Sequence, residues 1–203
     1  FMGWVHGGGT VAGLLAEMLA AGLNANCGGR NHMPIEVERQ VVEWVRQLFG
    51  FPEGASGVFV TGTSMANLMA VLVARRAKLG PDVRHHGLGN AKLTAYTSVS
   101  AHGCVAQAMD LAGLGREALR RIHADRAHRV DVAALHARIK QDRADGLDPF
   151  LVIGSAGTVD TGAIDNLAAL AALFREEQLW FHIDGAYGAL YDAAHVEWRF
   201  PVA

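Results

Sequence analysis

The chain has 203 residues, 51% hydrophobic and 19% charged, a composition that fits a globular domain with a core and excludes a disordered chain. Its formal net charge of -2 gives no electrostatic case for a nucleic-acid or anionic-membrane partner. Two cysteines and ten scattered histidines match neither a disulfide framework nor a zinc spacing, so a reducing compartment and no metal are expected.

The first predicted element is a helix over TVAGLLAEMLAAGLN (10–24), where apolar residues recur at helical spacing among strong helix formers. A Gly- and Asn-rich loop, NANCGGRNHMP (24–34), follows and is closed by a proline. The clearest amphipathic helix is IEVERQVVEWVRQLFG (35–50): Ile35, Val41, Val42, Val45 and Leu48 form its apolar side, acids occupy its first turns, and Gly50 stops it. From there strands and helices alternate. GVFVTG (57–62) reads as a short strand before a helix at 63–80, and LTAYTS (93–98) as a strand before a helix at 101–114. A weak strand at 119–124 precedes a helix at 130–145, a strand at 149–157 precedes a helix at 164–178, and the last strand is 179–184. This alternation implies an α/β fold with a mainly parallel central sheet and helices on both faces. No apolar run approaches the ~20 residues that span a bilayer, and no signal peptide is evident, so a cytoplasmic protein is expected. Both ends, Phe1-Met2-Gly3-Trp4 and Phe200-Pro201-Val202-Ala203, read as abrupt, so a fragment is expected.

In such sheets ligands lie beyond the carboxyl ends of the strands, and four of those ends carry candidate groups. Thr63 and Ser64 open a long helix, whose free N–H groups and positive dipole end, with two hydroxyls, make a phosphate cradle; an ordinary helix cap is the commoner role. No Walker lysine accompanies them, which excludes an NTPase loop. His102 follows the strand at 93–98. Gly154-Ser155-Ala156-Gly157-Thr158 ends the next strand with small residues and a hydroxyl. Asp184 ends the apolar run LWFHID, before Gly185 and Ala186. A capping Asp or a structural His is the usual reading of each in isolation. Together they suit a phosphorylated aromatic ring with a basic nitrogen: the carboxylate pairs with the protonated nitrogen, the imidazole stacks, and the helix start holds the phosphate. Pyridoxal 5'-phosphate is such a ligand.

The stretches GVFVTGTSMANLMAV, YTSVSAHGCVAQAMDLAGLG, IGSAGTVDTGAIDN and WFHIDGAYGAL resemble, in order and spacing, the group II pyridoxal-phosphate-dependent amino acid decarboxylases of fold type I. These include the aromatic amino acid, glutamate and histidine decarboxylases, and the likeness covers nearly all of residues 1–190. It implies that 1–203 is part of a pyridoxal-phosphate-binding large domain. It further implies decarboxylation of an L-amino acid to the amine and CO2, with an aromatic substrate favoured, and a homodimer to which the helices at 10–23 and 35–49 contribute. By resemblance, Thr63 and Ser64 are the phosphate pair, His102 the ring-stacking histidine, Thr158 a contact near the ring, and Asp184 the partner of the pyridine nitrogen. Ala186, with Gly185, is small because the ring lies against it, and His102 and Asp184 are the catalytic candidates. Arg30 and His32 are the candidate substrate-facing residues.

The family's Schiff-base lysine lies beyond the strand-end aspartate, whereas Lys78, Lys92 and Lys140 all precede Asp184. The lysine segment and the C-terminal small domain are therefore expected to lie outside this chain. The alternatives are another fold type I lyase or aminotransferase, or a non-catalytic pyridoxal-phosphate-binding fragment. A dinucleotide site at HGGGTVAG (6–13) is the weakest, since no strand precedes its glycines.

Overall fold

A computed structural model of the chain describes residues 8–26, 28 and 32–190. They divide into two compact units, with the boundary between Phe59 and Val60.

The first unit holds two helices, α1 (Val11–Leu23) and α2 (Met33–Leu48). Thr10 caps α1 by accepting from the Gly13 N–H at 3.0 Å, and Asn24 ends it in the left-handed region. Its apolar side chains are exposed along its length. α2 starts two residues before its predicted first residue because Pro34, whose fixed φ suits a first turn, sits inside it. Arg46 clamps the chain that follows, bonding the Glu43 carboxylate through Nε and the Phe51 carbonyl through Nη1. Residues 51–59 run back along α2 and enclose with it an apolar groove of about 340 Å³ lined by Val42, Val45, Phe51, Val58 and Phe59.

The strand predicted at 57–62 is not formed. Val58 and Phe59 are more than half exposed, and the Phe59 N–H donates to the Glu38 carboxylate at 2.8 Å. The β-branched and aromatic residues supplied strand propensity, but a strand also needs a neighbour to take its N–H groups.

The second unit is an α/β layer. Its elements are α3 (Thr63–Leu79), α4 (Val83–His86), β1 (Leu93–Ser98), α5 (Cys104–Leu111), β2 (Leu119–Ile122), α6 (Val132–Ala144), β3 (Asp148–Ser155), α7 (Leu167–Glu177) and β4 (Trp180–Asp184). The four strands are all parallel, in the order β2-β1-β3-β4. β1 is buried throughout and β3 nearly so, as expected where helices cover both faces. On one face Ala95, Leu151 and Ile153 pack with Val71 and Ala74 of α3 and Val105 and Met109 of α5. Alternation turns Tyr96 and Gly154 to the other face, under α6 and α7. There the Tyr96 hydroxyl donates to Asp142 of α6 at 2.9 Å, and a Cβ on Gly154 would stand 2.9 Å from the Leu170 side chain. Asp131 and Asn166 cap α6 and α7 by accepting from the Ala134 and Ala169 N–H groups.

Several local features differ from expectation: β2 ends at Ile122 rather than 124, β3 at Ser155 rather than 157, and α7 begins at Leu167 rather than 164, where Asn166 caps it. α5 is shorter than 101–114: residues 101–103 stay outside the helix and Gly113, at φ +75, ends the stretch. The short α4 was not foreseen. Among the described residues, no helix is long and apolar enough to cross a membrane.

Candidate active site

The carboxyl edge of the sheet is organised around the end of β4. Side chains alternate along a strand, so His182 and Asp184 share a face, the one covered by α3 and α5. Asp184 lies in register with Ser155 of β3, and its carbonyl accepts from the Ala156 N–H at 2.9 Å. The chain then turns back over the loop after β3, where the Gly188 N–H donates to the Ala156 carbonyl at 3.1 Å. A Cβ on Gly188 would stand 2.7 Å from that oxygen and 2.9 Å from the Gly157 Cα, so the two backbones meet only because both residues are glycine. Gly185 is small for a reason internal to the fold as well, since its Cβ would fall 2.7 Å from that of Ala189.

The Asp184 carboxylate receives neutral donors. Asn67 Nδ2 donates to Oδ2 at 2.9 Å and the Ala186 N–H to Oδ1 at 3.2 Å. Asn67 is 2% exposed, and its amide also meets Cys104 Sγ at 3.2 Å and His182 Nε2 at 2.7 Å. Burial lowers the His182 pKa, against the opposing pull of the Asp184 charge, so the imidazole is neutral. Burial raises the Cys104 thiol; the Asn67 hydrogen bond opposes that rise and the Asp184 charge adds to it.

The sequence-predicted residues gather around this cluster. Thr63 and Ser64 lie exposed in the first turn of α3, with Gly62 as the preceding residue. His102 is exposed in the turn between β1 and α5, its Nδ1 accepting from the Cys104 N–H at 3.2 Å. Cys104 thus connects the His102 turn to Asn67, and through Asn67 to Asp184. Thr158 is buried on the loop after β3; its hydroxyl bonds that of Thr161 at 2.7 Å and its N–H donates to the Ala163 carbonyl. Ala186 is exposed on the turn that leaves β4. Arg30 lies outside the described residues, and His32 caps the start of α2, where its ring bonds the Asn26 carbonyl.

None of the three lysines sits at this edge. Lys78 pairs with Asp148 at 2.7 Å at the amino end of β3, the Lys92 carbonyl accepts from the Asp148 N–H at the same end, and Lys140 lies on α6.

Asn67, Cys104 and His182 were missed by sequence reasoning. The signals were present: one amide inside the apolar run SMANLMAV, and a His–x–Asp spacing that places both residues on one strand face.

A parallel sheet with polar groups gathered at its carboxyl edge is the architecture of the fold type I enzymes. The chain belongs to the pyridoxal-dependent decarboxylase family, whose conserved domain matches residues 2–199. It is 38% identical over 196 residues to an aromatic-L-amino-acid decarboxylase of Bacillus atrophaeus, covering 93% of this chain and 38% of that protein. It is 33% identical to an L-2,4-diaminobutyrate decarboxylase of Rhizobium meliloti (strain 1021), covering 88% of this chain and 35% of that one. The crystal structure of mouse CSAD superposes with a TM-score of 0.87 at 31% identity, covering 93% of this chain and 40% of that one. The chain therefore spans less than half the length of these relatives.

Proposed function

We propose that the full protein is a pyridoxal-phosphate-dependent decarboxylase that converts an L-amino acid, with an aromatic one favoured, to its amine and CO2. The observation that carries this reading is Asp184: a carboxylate at the carboxyl edge of a parallel sheet, held among the described residues by an amide and a backbone N–H rather than by a guanidinium or ammonium. Residues 1–203 are part of the large domain, and the protein is cytoplasmic and a homodimer. The likeness to the Bacillus atrophaeus enzyme supports the aromatic substrate.

The donor set fits pyridoxal phosphate. Asp184 supplies the counter-charge for a protonated ring nitrogen and, by pairing with it, raises that nitrogen's pKa. The first turn of α3 offers N–H groups without intrahelical acceptors, beside the exposed hydroxyls of Thr63 and Ser64, for the phosphate. The exposed His102 ring is available to stack, Thr158 sits on the adjacent loop, and Ala186 presents only a methyl. Bound there, the cofactor supplies an electron sink for the pair released when the bond between Cα and the carboxylate breaks.

The test is to incubate the full protein, loaded with pyridoxal phosphate, with a panel of L-amino acids and measure CO2 and organic products together. Amine with equimolar CO2 is expected, and Asp184→Ala should cost ~100-fold or more in kcat, about 2.7 kcal/mol of barrier. A keto acid formed without CO2 would show a transaminase instead.

A further inference from the structure

Asn67 is the residue at this edge whose burial demands an explanation. A primary amide sealed inside an apolar helix face costs roughly 1–3 kcal/mol unless its polar atoms are matched. Here they are matched by residues from two other elements: Asp184 Oδ2 at 2.9 Å and His182 Nε2 at 2.7 Å from β4, and Cys104 Sγ at 3.2 Å from α5. One arrangement satisfies all three. An amide oxygen facing the Asp184 carboxylate would set two acceptors against each other, so the NH2 group faces Asp184 and the thiol. The amide oxygen then accepts from His182, which carries its proton on Nε2. The Asp184 charge thus fixes the amide, and His182 prevents it from turning over.

We infer that Asn67 is a positioning residue: locked by His182, it holds the Asp184 carboxylate in the orientation that receives the N–H of a cationic aromatic ring. This rests on the assignment of Asp184 to the cofactor's ring nitrogen. The helix that carries Asn67 begins four residues earlier with Thr63, so the phosphate end and the nitrogen end of the site are set by one rigid element. Donation from a neutral amide orients Asp184 without cancelling its charge, whereas a lysine or arginine at position 67 would neutralise it.

The experiment compares two ligands on the full protein by equilibrium binding: pyridoxal phosphate, and its carbocyclic analogue with the ring nitrogen replaced by C–H. The wild-type protein should prefer pyridoxal phosphate, since only that ligand has a nitrogen for Asp184. In Asn67→Leu, which removes the amide, the preference should fall about tenfold while the affinity for the carbocyclic analogue stays the same. Asn67→Ala removes the amide without adding bulk, and it should lose the preference too, which covers any folding defect caused by the larger leucine. Equal weakening of both ligands would assign Asn67 a general structural role and overturn the inference. So would full retention of the preference in either variant. A wild-type protein that binds both ligands equally would instead overturn the assignment of Asp184 to the ring nitrogen, and this inference with it.

Discussion

Replacing Asp142 by Asn tests what ties the sheet to α6. Asp142 is fully buried; its Oδ2 accepts from the Tyr96 hydroxyl and from Arg120 Nε, each at 2.9 Å. Arg138, one turn earlier on α6, lies 2.9 Å from Oδ1, close enough for charge pairing but without a hydrogen bond. Burial pushes this carboxyl up, yet the Arg120 and Tyr96 hydrogen bonds and the two guanidinium charges outweigh it and hold the pKa below the ordinary Asp value. Removing one member of a buried ion pair costs about 3–5 kcal/mol. The Arg120 and Arg138 side chains are 24% and 42% exposed, so water recovers part of that loss. We expect Asp142→Asn to destabilise by about 2–3 kcal/mol, or about 4–12 °C in Tm for a unit of this size. Urea and thermal unfolding at neutral pH measure it, and a double-mutant cycle with Arg120→Met should return a coupling of ~1 kcal/mol or more. Because the folded pKa is depressed, this stabilisation is present above the unfolded pKa of about 3.9 and is lost as pH falls through the folded value. The gap between wild type and variant should therefore close in acid. A variant within ~0.5 kcal/mol of wild type at neutral pH, or a coupling near zero, would refute the argument.

Gly188→Ala drives a methyl to 2.7 Å from the Ala156 carbonyl oxygen, a backbone atom that cannot swing aside, and should cost about 1–3 kcal/mol by thermal melting. Gly103→Ala is the contrasting control: its Cβ meets nothing within 4 Å and its φ of -59 suits alanine, so stability should hold or rise by about 0.4–1 kcal/mol. The lowered His182 pKa means that the unfolded chain takes up a proton below about pH 6.5 before the folded protein does. Stability should therefore drop as pH falls through that range, and urea midpoints measured across it should show the slope in wild type and a smaller one in His182→Gln.

Much of the second unit was legible because each element carries its own signal. The β1 boundaries, Leu93–Ser98, match the apolar run LTAYTS residue for residue, and α3 runs from the predicted Thr63 to just before the stopping Gly80. Asp184, His102, Thr63 and Ser64 were legible by position, because strand ends and helix starts can be read from sequence and the carboxyl edge is where a parallel sheet holds ligands. The 57–62 stretch misled because propensity is local and pairing is not: nothing in GVFVTG says that its N–H at Phe59 finds Glu38. Asn67 was hidden for the related reason that its three partners stand 37, 115 and 117 residues away along the chain. The cause of the small Gly185, the Ala189 methyl of the returning turn, became visible only once that turn was seen to fold back.

The two faces of the sheet treat their aspartates in opposite ways. Asp142, on α6 over one face, is surrounded by two guanidiniums and a phenol hydroxyl, and its charge is consumed within the fold. Asp184, under α3, receives an amide and a backbone N–H, while its histidine neighbour is kept neutral by burial. A cation at position 67 or 182 would pair with Asp184 and use up its charge within the fold, whereas the Asn67 amide orients the carboxylate and leaves that charge in place. Among the described residues no counter-ion pairs with Asp184, an arrangement that suits a counter-ion from outside the chain. The position of this carboxylate, at the carboxyl edge beside the open start of a 17-residue helix, is where a phosphorylated cation would find both of its partners.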